Sequence, residues 1–462
     1  MNESICFDNV EYILNKEEKT ADIKNLRRTR DFYIPRSIKY QSQEYIITSF
    51  LPLSVGFKVK SIQFAPDSEL RTIKNSAFNF SGIESFSFPS SLIELEEGWC
   101  KNAKNLTEIA ISPKNPKYKL YDNMIIGKSS LDLKNFDTLV FCSRNIEEAI
   151  IPDFIEIIEP YAIDKIPKIK INSESKLRII KSCSINNSSI ESFYIPPSVV
   201  SIQKRCFICT PQLNKITVDQ KNKFIFVYDQ KLLIAKSSPE KENFDVVLFC
   251  FPETINVTIP DFIEVIAPHS FEQCKQLQNV EISQNSKLQS IEEYAFSETA
   301  IESIAIPPHL KKIGSKAFYK CNSLTQIDIT PDSELRIIES YAFGKSMINS
   351  FFIPKLVTKI CNGTFVDCFN LNKIEIPENS NLEVIEREAF YSTLIEKIHL
   401  PQNFKKFDNG WNNFAQKLKK ISFSPNNKFF DIVDNKIVVT KSDLDQENFD
   451  TLVFYMGDDE IV

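Results

Sequence analysis

The chain has 462 residues, of which 42% are hydrophobic and 25% charged, with a net charge of −6 and a pI near 5.5. It is too apolar for disorder and lacks the basic excess that a phosphate backbone demands, so no nucleic-acid partner is expected. With 9 glycines against 37 phenylalanines, glycine-rich phosphate cradles and folds needing many positive-φ turns are disfavoured.

The N-terminus shows neither the basic nor the apolar stretch of a secretory signal, and no run approaches the ~18 apolar residues of a membrane span, so no direct membrane insertion within this chain is expected. Residues 1–50 read as an N-terminal hairpin cap and a first repeat, from "FDNVEYILNKEEKTADIKNL" to "FYIPRSIKYQSQEYIITSF". Residues 51–462 then repeat themselves. Leu288, Leu335 and Leu382 open equivalent passages 47 residues apart, and each passage divides into halves of 23 or 24 residues. In one half, Ile301, Ile304 and Ile306 form an I-x-x-I-x-I pattern followed by Pro307 and then by Ala317-Phe318. The period-2 apolar pair predicts a short strand with one face inward, and Pro307 cannot continue its ladder. The Ala-Phe pair returns to the core.

The residue between the last two apolar positions of each strand forms an outward column, from Tyr33 through Tyr194, Thr258, Phe352, Glu375 and His399 to Ser422. From Thr258 onward its steps alternate between 23 and 24 residues, which predicts a solenoid of about sixteen stacked units. A parallel β-helix is the alternative, because it shares the stacking physics. Two longer steps, Ala110 to Ile150 and Thr217 to Thr258, contain related passages, "YDNMIIGKSSLDLKNFDTLVFC" and "VYDQKLLIAKSSPEKENFDVVLFC". A third copy, "IVDNKIVVTKSDLDQENFDTLVFY", lies near the C-terminus. All three predict β-hairpins inserted into the array, near 115–145, 221–252 and 426–456. After the third copy, "FYMGDDEIV" stops before the proline that follows the first, so either a C-terminally truncated array or a last edge that pairs with a partner chain is expected.

The passages "IESIAIPPHLKKIGSKAFYKCNSL", "LNKIEIPENSNLEVIEREAF", "LRTIKNSAF" and "IAPHSFEQCKQL" resemble the BspA-like leucine-rich repeat. The resemblance implies short parallel strands alternating with short helical or turn segments. It also implies a cell-surface antigen or adhesin that binds a protein partner through its solenoid. With no signal sequence in this chain, an intracellular (cytoplasmic) scaffold is the alternative.

The chemical motifs predict no catalytic, cofactor-binding or metal-ligating residue, and hence no enzyme. The GKS triplet in "IIGKSS" lacks the earlier glycine of a P-loop, because Asp122 stands there, and its sister hairpins carry "LIAKSS" and "VVTKSD" as a turn would. Cys206 and Cys209 form a single CxxC around Phe207 with no second pair. Cys274, Cys321 and Cys368 recur two units apart, roughly 10 Å at the ~4.8 Å strand spacing, too far to pair with one another and suited to core packing. His309 and His399 fall about four units apart, and no acid-base-nucleophile group is expected to converge. Trp99 and Trp411 replace the repeat's alanine just before hairpins and are read as packing residues. The candidate partner contacts are column residues: Tyr194 and Phe352 as aromatic anchors, with Glu375 and His399 beside them.

Overall fold

Each repeat forms one coil of two parallel strands and a turn. The computed structural model describes residues 3–26, 29–207, 209–434, 436–441, 449 and 451–455. They belong to two units, Met1–Lys223 and Phe224–Val462, each built in this way.

The coil around Ile304 shows the plan. Strand Ser303–Ile306 pairs in parallel with Gln326–Ile329 of the next coil, Ile304 facing Ile327 and Ala305 facing Asp328. A two-residue strand, Lys312–Ile313, pairs with Ile337–Ile338. The turn then makes a third ladder: the N–H groups of Lys316, Phe318 and Lys320 donate to the carbonyls of Ser340, Ala342 and Gly344, at 3.1, 2.7 and 2.9 Å. Between them, Ala317 and Tyr319 bond within the coil, to Gly314 and Lys316.

The Ala-Phe segments are turns, and no helix occurs among the described residues. The reason lies in two residues four apart in each turn, both left-handed. Lys316 (φ 54°) and Lys320 (φ 57°) are followed in the next coils by Tyr341 and Lys345, Gly363 and Asp367, and Glu388 and Ser392. A left-handed residue interrupts a right-handed helix and turns every other N–H toward the neighbouring coil. Scarce glycine predicts few positive-φ turns, but the structure contains many at non-glycine residues, with only Gly98, Gly363 and Gly410 among the described glycines. Each costs about 1–2 kcal/mol, which the inter-coil hydrogen bonds and the buried Phe offset.

Those phenylalanines form the core of the second unit. Phe271, Phe296, Phe318, Phe343, Phe365 and Phe390 stack ring over ring at 4.6, 5.3, 5.4, 5.7 and 5.4 Å between centroids, all fully buried. The inward isoleucines of the strands pack around them. Cys274, Cys321 and Cys368 are buried beside the stack, and the Cys321 and Cys368 thiols donate to the carbonyls of Phe296 and Phe343, both at 3.1 Å.

In the first unit, Glu3–Phe7, Val10–Asn15 and Thr20–Leu26 are antiparallel, and the third runs parallel to Gln43–Phe50. That strand also takes Ser37–Tyr40 as a hairpin partner and passes the ladder to Thr72–Ile73 and Glu94–Leu95. The long-strand ladder begins at Asp31–Ile34 and continues through Ser61–Phe64 and Ser85–Phe88 to Glu108–Ile111.

The inserted passages are three-stranded, because the run before the tight turn pairs as well. They are Tyr118–Tyr121, Met124–Gly127 and Thr138–Cys142 in the first unit, and Ile225–Tyr228, Leu232–Ala235 and Val246–Cys250 in the second. Phe430–Val433, Ile437–Thr440 and Thr451–Tyr455 form the third. In the first two copies the last strand replaces both a short strand and a turn. Thr138 pairs with Ile157 and Val246 with Val265, while the N–H groups of Cys142 and Cys250 donate to Ala162 and Ser270 at 2.8 Å, in the turn ladder. Asn115 anchors the start of the first copy: its amide donates to the Pro89 and Leu92 carbonyls, and its Oδ1 accepts from the N–H groups of Lys117 and Tyr118. Asn427 does the same for the third, reaching Pro401 and Phe404 and accepting from Phe429 and Phe430. The GKS slot is a turn held by an aspartate: Asp137 takes the Ser129 N–H and hydroxyl, and Asp245 takes those of Ser237 at 2.7 and 2.6 Å. Residues 456–462, on which the expected truncation rests, lie outside the described residues.

Phe318→Ala removes a fully buried ring from the middle of the stack and is expected to lower unfolding stability by roughly 3–5 kcal/mol, measured by denaturant titration. Desolvation acts to raise the Asp245 carboxyl, but the two bonds from Ser237 and the Lys241 ammonium outweigh it and hold the carboxyl below its ordinary range. A depressed folded-state pKa contributes stability that is present above the unfolded value, near 4, and is lost as pH falls through the folded value. The stability gap between the native protein and Asp245→Asn, followed by thermal unfolding, is therefore expected to be widest at neutral pH and to close in acid.

Candidate functional site

Side-chain alternation fixes which residues meet solvent. None of the column residues is buried, and the register matches them across strands: Tyr33 with Gln63, Ile150 with Lys170, Tyr194 with Thr217, Thr258 with Glu281, Phe352 with Glu375, and His399 with Ser422. Of the four candidate contacts, Phe352, Glu375 and His399 lie on successive long strands of the second unit, while Tyr194 belongs to the first. Glu375 is ion-paired to Lys373, two residues earlier on its strand. Tyr194 donates its hydroxyl to Asp219 at 2.7 Å; desolvation and that carboxylate push the phenol up to about 12, so it remains a neutral donor across physiological pH.

Around Tyr194 the first unit has a groove of about 970 Å³ whose walls include Tyr121, Ile150, Phe154, Lys170 and Tyr194. Tyr121 and Phe154 meet edge to face at 5.6 Å, and Ile150 is 56% exposed. Tyr121 ends the first strand of the inserted hairpin, and Phe154 comes from "IPDFIE" just after the column position Ile150. The sequence signal for this wall is repetition: "IPDFIE" returns at 259–264 behind the second hairpin, where Tyr228 and Phe262 meet at 6.2 Å. In that unit a smaller depression of about 440 Å³ lies over Thr258, Glu281, Ala305 and Asp328. Tyr33, 62% exposed, is the most open aromatic of the column and was missing from the candidates.

The histidines depart from expectation at one place. The His269 side chain is buried, stacked on Tyr294 at 4.9 Å and bonded to Glu272, and His309 bonds Glu334 at the surface. His399, however, joins Ser422 Oγ at 2.9 Å through Nδ1 and Glu378 Oε1 at 2.7 Å through Nε2, an order of nucleophile, base and acid that the sequence reading did not foresee. The three come together because His399 and Ser422 are facing column residues, and Glu378 sits in the loop after the preceding strand. Two physical points argue against a nucleophilic centre. The Glu378 side chain is 66% exposed, where water screens its hold on the ring, and the group stands on an open strand face that does not exclude water.

The thiols and indoles sit in the core. Cys206 is buried, which pushes its thiol up to about 12, while Cys209 is exposed and Phe207 between them is buried. Trp99 is buried against Phe88 and against Phe141 of the hairpin's last strand; Trp411 is buried against Phe390 and Phe407. Among the described residues no group of three His, Cys, Asp or Glu is placed to hold a metal ion, and no helix is long and apolar enough to cross a membrane.

Coils of two parallel strands closed by hydrogen-bonded turns define a β-solenoid of the leucine-rich-repeat type. The model of the BspA type leucine rich repeat region matches residues 55–138, 134–228, 245–368 and 336–437, well over half of the sequence, and the chain belongs to that family. No curated protein matches it. Among solved structures it is similar to a leucine-rich cell surface protein of Faecalibacterium prausnitzii, at 16% identity over 91% of this chain and 95% of that one, with a TM-score of 0.40. It is also similar to the pneumococcal vaccine antigen PcpA, at 18% identity over 92% and 94%, with a TM-score of 0.46. A leucine-rich repeat protein of Eubacterium ventriosum matches at 15% identity over 94% and 99%, with a TM-score of 0.47.

If Ser422 is an ordinary surface hydroxyl, a fluorophosphonate probe leaves it unmodified, as judged by peptide mass spectrometry. Labelling of Ser422 that disappears in His399→Ala would instead identify an activated serine.

Proposed function

We propose that the chain is a non-enzymatic recognition protein, displayed at a cell surface as an antigen or adhesin, that binds a protein partner through the outward faces of its long strands. The observation that carries this is the groove of the first unit, where Tyr121, Ile150, Phe154 and Tyr194 expose apolar surface around about 970 Å³. Aromatic anchors held in place before binding lose little ordering entropy, and Tyr194 is fixed by its bond to Asp219. Family membership supports the protein-binding role. In the second unit Phe352, Glu375 and His399 offer a further, more polar contact strip.

The test joins location to contact. Antibody labelling of intact source cells is expected, whereas labelling only after permeabilisation would favour the intracellular scaffold. Against the partner captured from those cells, Ile150→Ser combined with Tyr194→Ala is expected to weaken binding at least tenfold, about 1.4 kcal/mol, with the unfolding midpoint nearly unchanged. Unchanged affinity would remove this groove as the contact surface.

A further inference from the structure

The two units carry the same local construction with one chemical inversion. Each has a hairpin strand ending in tyrosine, Tyr121 or Tyr228, and each places the phenylalanine of an "IPDFIE" passage, Phe154 or Phe262, edge to face with it, at interplanar angles of 78° and 80°. The column then begins at equivalent positions. In the first unit it reads Ile150, Lys170, Tyr194, Thr217; in the second it reads Thr258, Glu281, Ala305, Asp328. Where the column of one face carries an apolar and a basic residue, the column of the other carries a polar and an acidic one.

Neither charge is neutralised by an ion pair. Among the described residues no carboxylate pairs with Lys170, which is exposed; the other charge lining its groove, Asp153, instead accepts a hydrogen bond from the Asn172 amide at 3.3 Å. Glu281 accepts a hydrogen bond from the Thr258 hydroxyl at 3.0 Å, and the one lysine bordering its depression, Lys231, is paired with Asp229 at 3.1 Å. Asp328 is held by the Gln326 amide at 2.7 Å and adds to the same sign. Elsewhere in the second unit lysines on one coil meet carboxylates on the next, as Lys312 does with Glu292 and Glu339, and Lys320 with Glu298. The charges at 170 and 281 are therefore available to an occupant.

We propose that these two faces dock extended peptide segments of opposite charge preference, Lys170 selecting a segment with an acidic side chain and Glu281 a segment with a basic one. This rests on the recognition role proposed above and adds the chemistry of what is recognised. An extended chain laid across the strands spans this pair. Ile150 and Lys170 are neighbours on adjacent strands, about 4.8 Å apart, same-face side chains of an extended peptide repeat at ~6.6 Å, and the long, exposed lysine side chain takes up the difference. One apolar side chain can thus rest on the Tyr121, Phe154 and Ile150 wall while the next same-face side chain lies beside the Lys170 ammonium. In the second unit Ala305 replaces Tyr194, which lowers the wall and leaves Glu281 and Asp328 in reach of basic side chains. Like charges placed opposite each other are penalised, so each face also rejects the other's ligand.

The test uses the full-length protein and two panels of synthetic peptides alternating apolar with charged residues, one panel carrying Asp and Glu and the other Lys and Arg, read by fluorescence anisotropy. Lys170→Glu is expected to weaken binding of the acidic panel at least threefold while sparing the basic panel, and Glu281→Lys to do the reverse. Both preferences are expected to shrink in high salt. Lys170→Gln, which removes the charge without inverting it, is expected to fall between, with all variants keeping the native unfolding midpoint. The proposal is overturned if neither panel binds, or if the charge swaps leave the panel preferences where they were. If the preferences do not move while Ile150→Ser with Tyr194→Ala still abolishes capture of the cell partner, the recognition role stands and only the charge assignment falls.

Discussion

The hydrogen bonds that leave a turn for the next coil, Phe318 to Ala342 and its copies from Phe271 to Phe390, are the constraint on which the other features depend. They hold the Ala-Phe segment flat enough for one phenylalanine to lie over the next. They also require two left-handed residues per turn, so the backbone accepts local strain at lysines, tyrosines and serines for the sake of the stack. Because the coils are built on one plan, the outward residues of the long strands recur at fixed positions and become a surface that can vary freely. Substitution there changes what the protein touches without changing how it folds.

The hairpins show how strict the constraint is. An insertion survives only if its last strand supplies what the missing turn supplied, and Thr138–Cys142 and Val246–Cys250 do so in both the short-strand and turn ladders. The hairpin then projects a tyrosine beside the column, which is why both aromatic pairs stand next to insertions. The groove is a by-product of repairing the ladder after an insertion.

Much of this was legible in the sequence, because the repeat imposes a period that side chains must obey. The column from Tyr33 to Ser422 was readable from the alternation of isoleucines, and Phe318 from its place after Ala317. What was not legible depended on backbone conformation and on neighbours distant in sequence. Glycine is the usual marker of positive φ, but Lys316, Tyr341 and Glu388 adopt it because the ladder offsets the strain. The meeting of His399, Ser422 and Glu378 needed the strand register together with the path of one loop. Tyr121 and Phe154 sit more than thirty residues apart in sequence, and only the repeated "IPDFIE" hinted that they share a wall.

Stacking also governs how such units respond to mechanical load. The coils of the second unit are joined by hydrogen bonds and ring contacts that run from one coil to the next, with no disulfide among the described cysteines to lock them together. Tension applied at the two ends of such a stack is carried by its inter-coil seams in series, so the weakest opens first, and a freed coil of 23 or 24 residues lengthens the chain by about 80 Å at full extension. Each coil is thus a store of slack, released stepwise under load and rewound when the load drops, while the coils still stacked keep their outward faces intact.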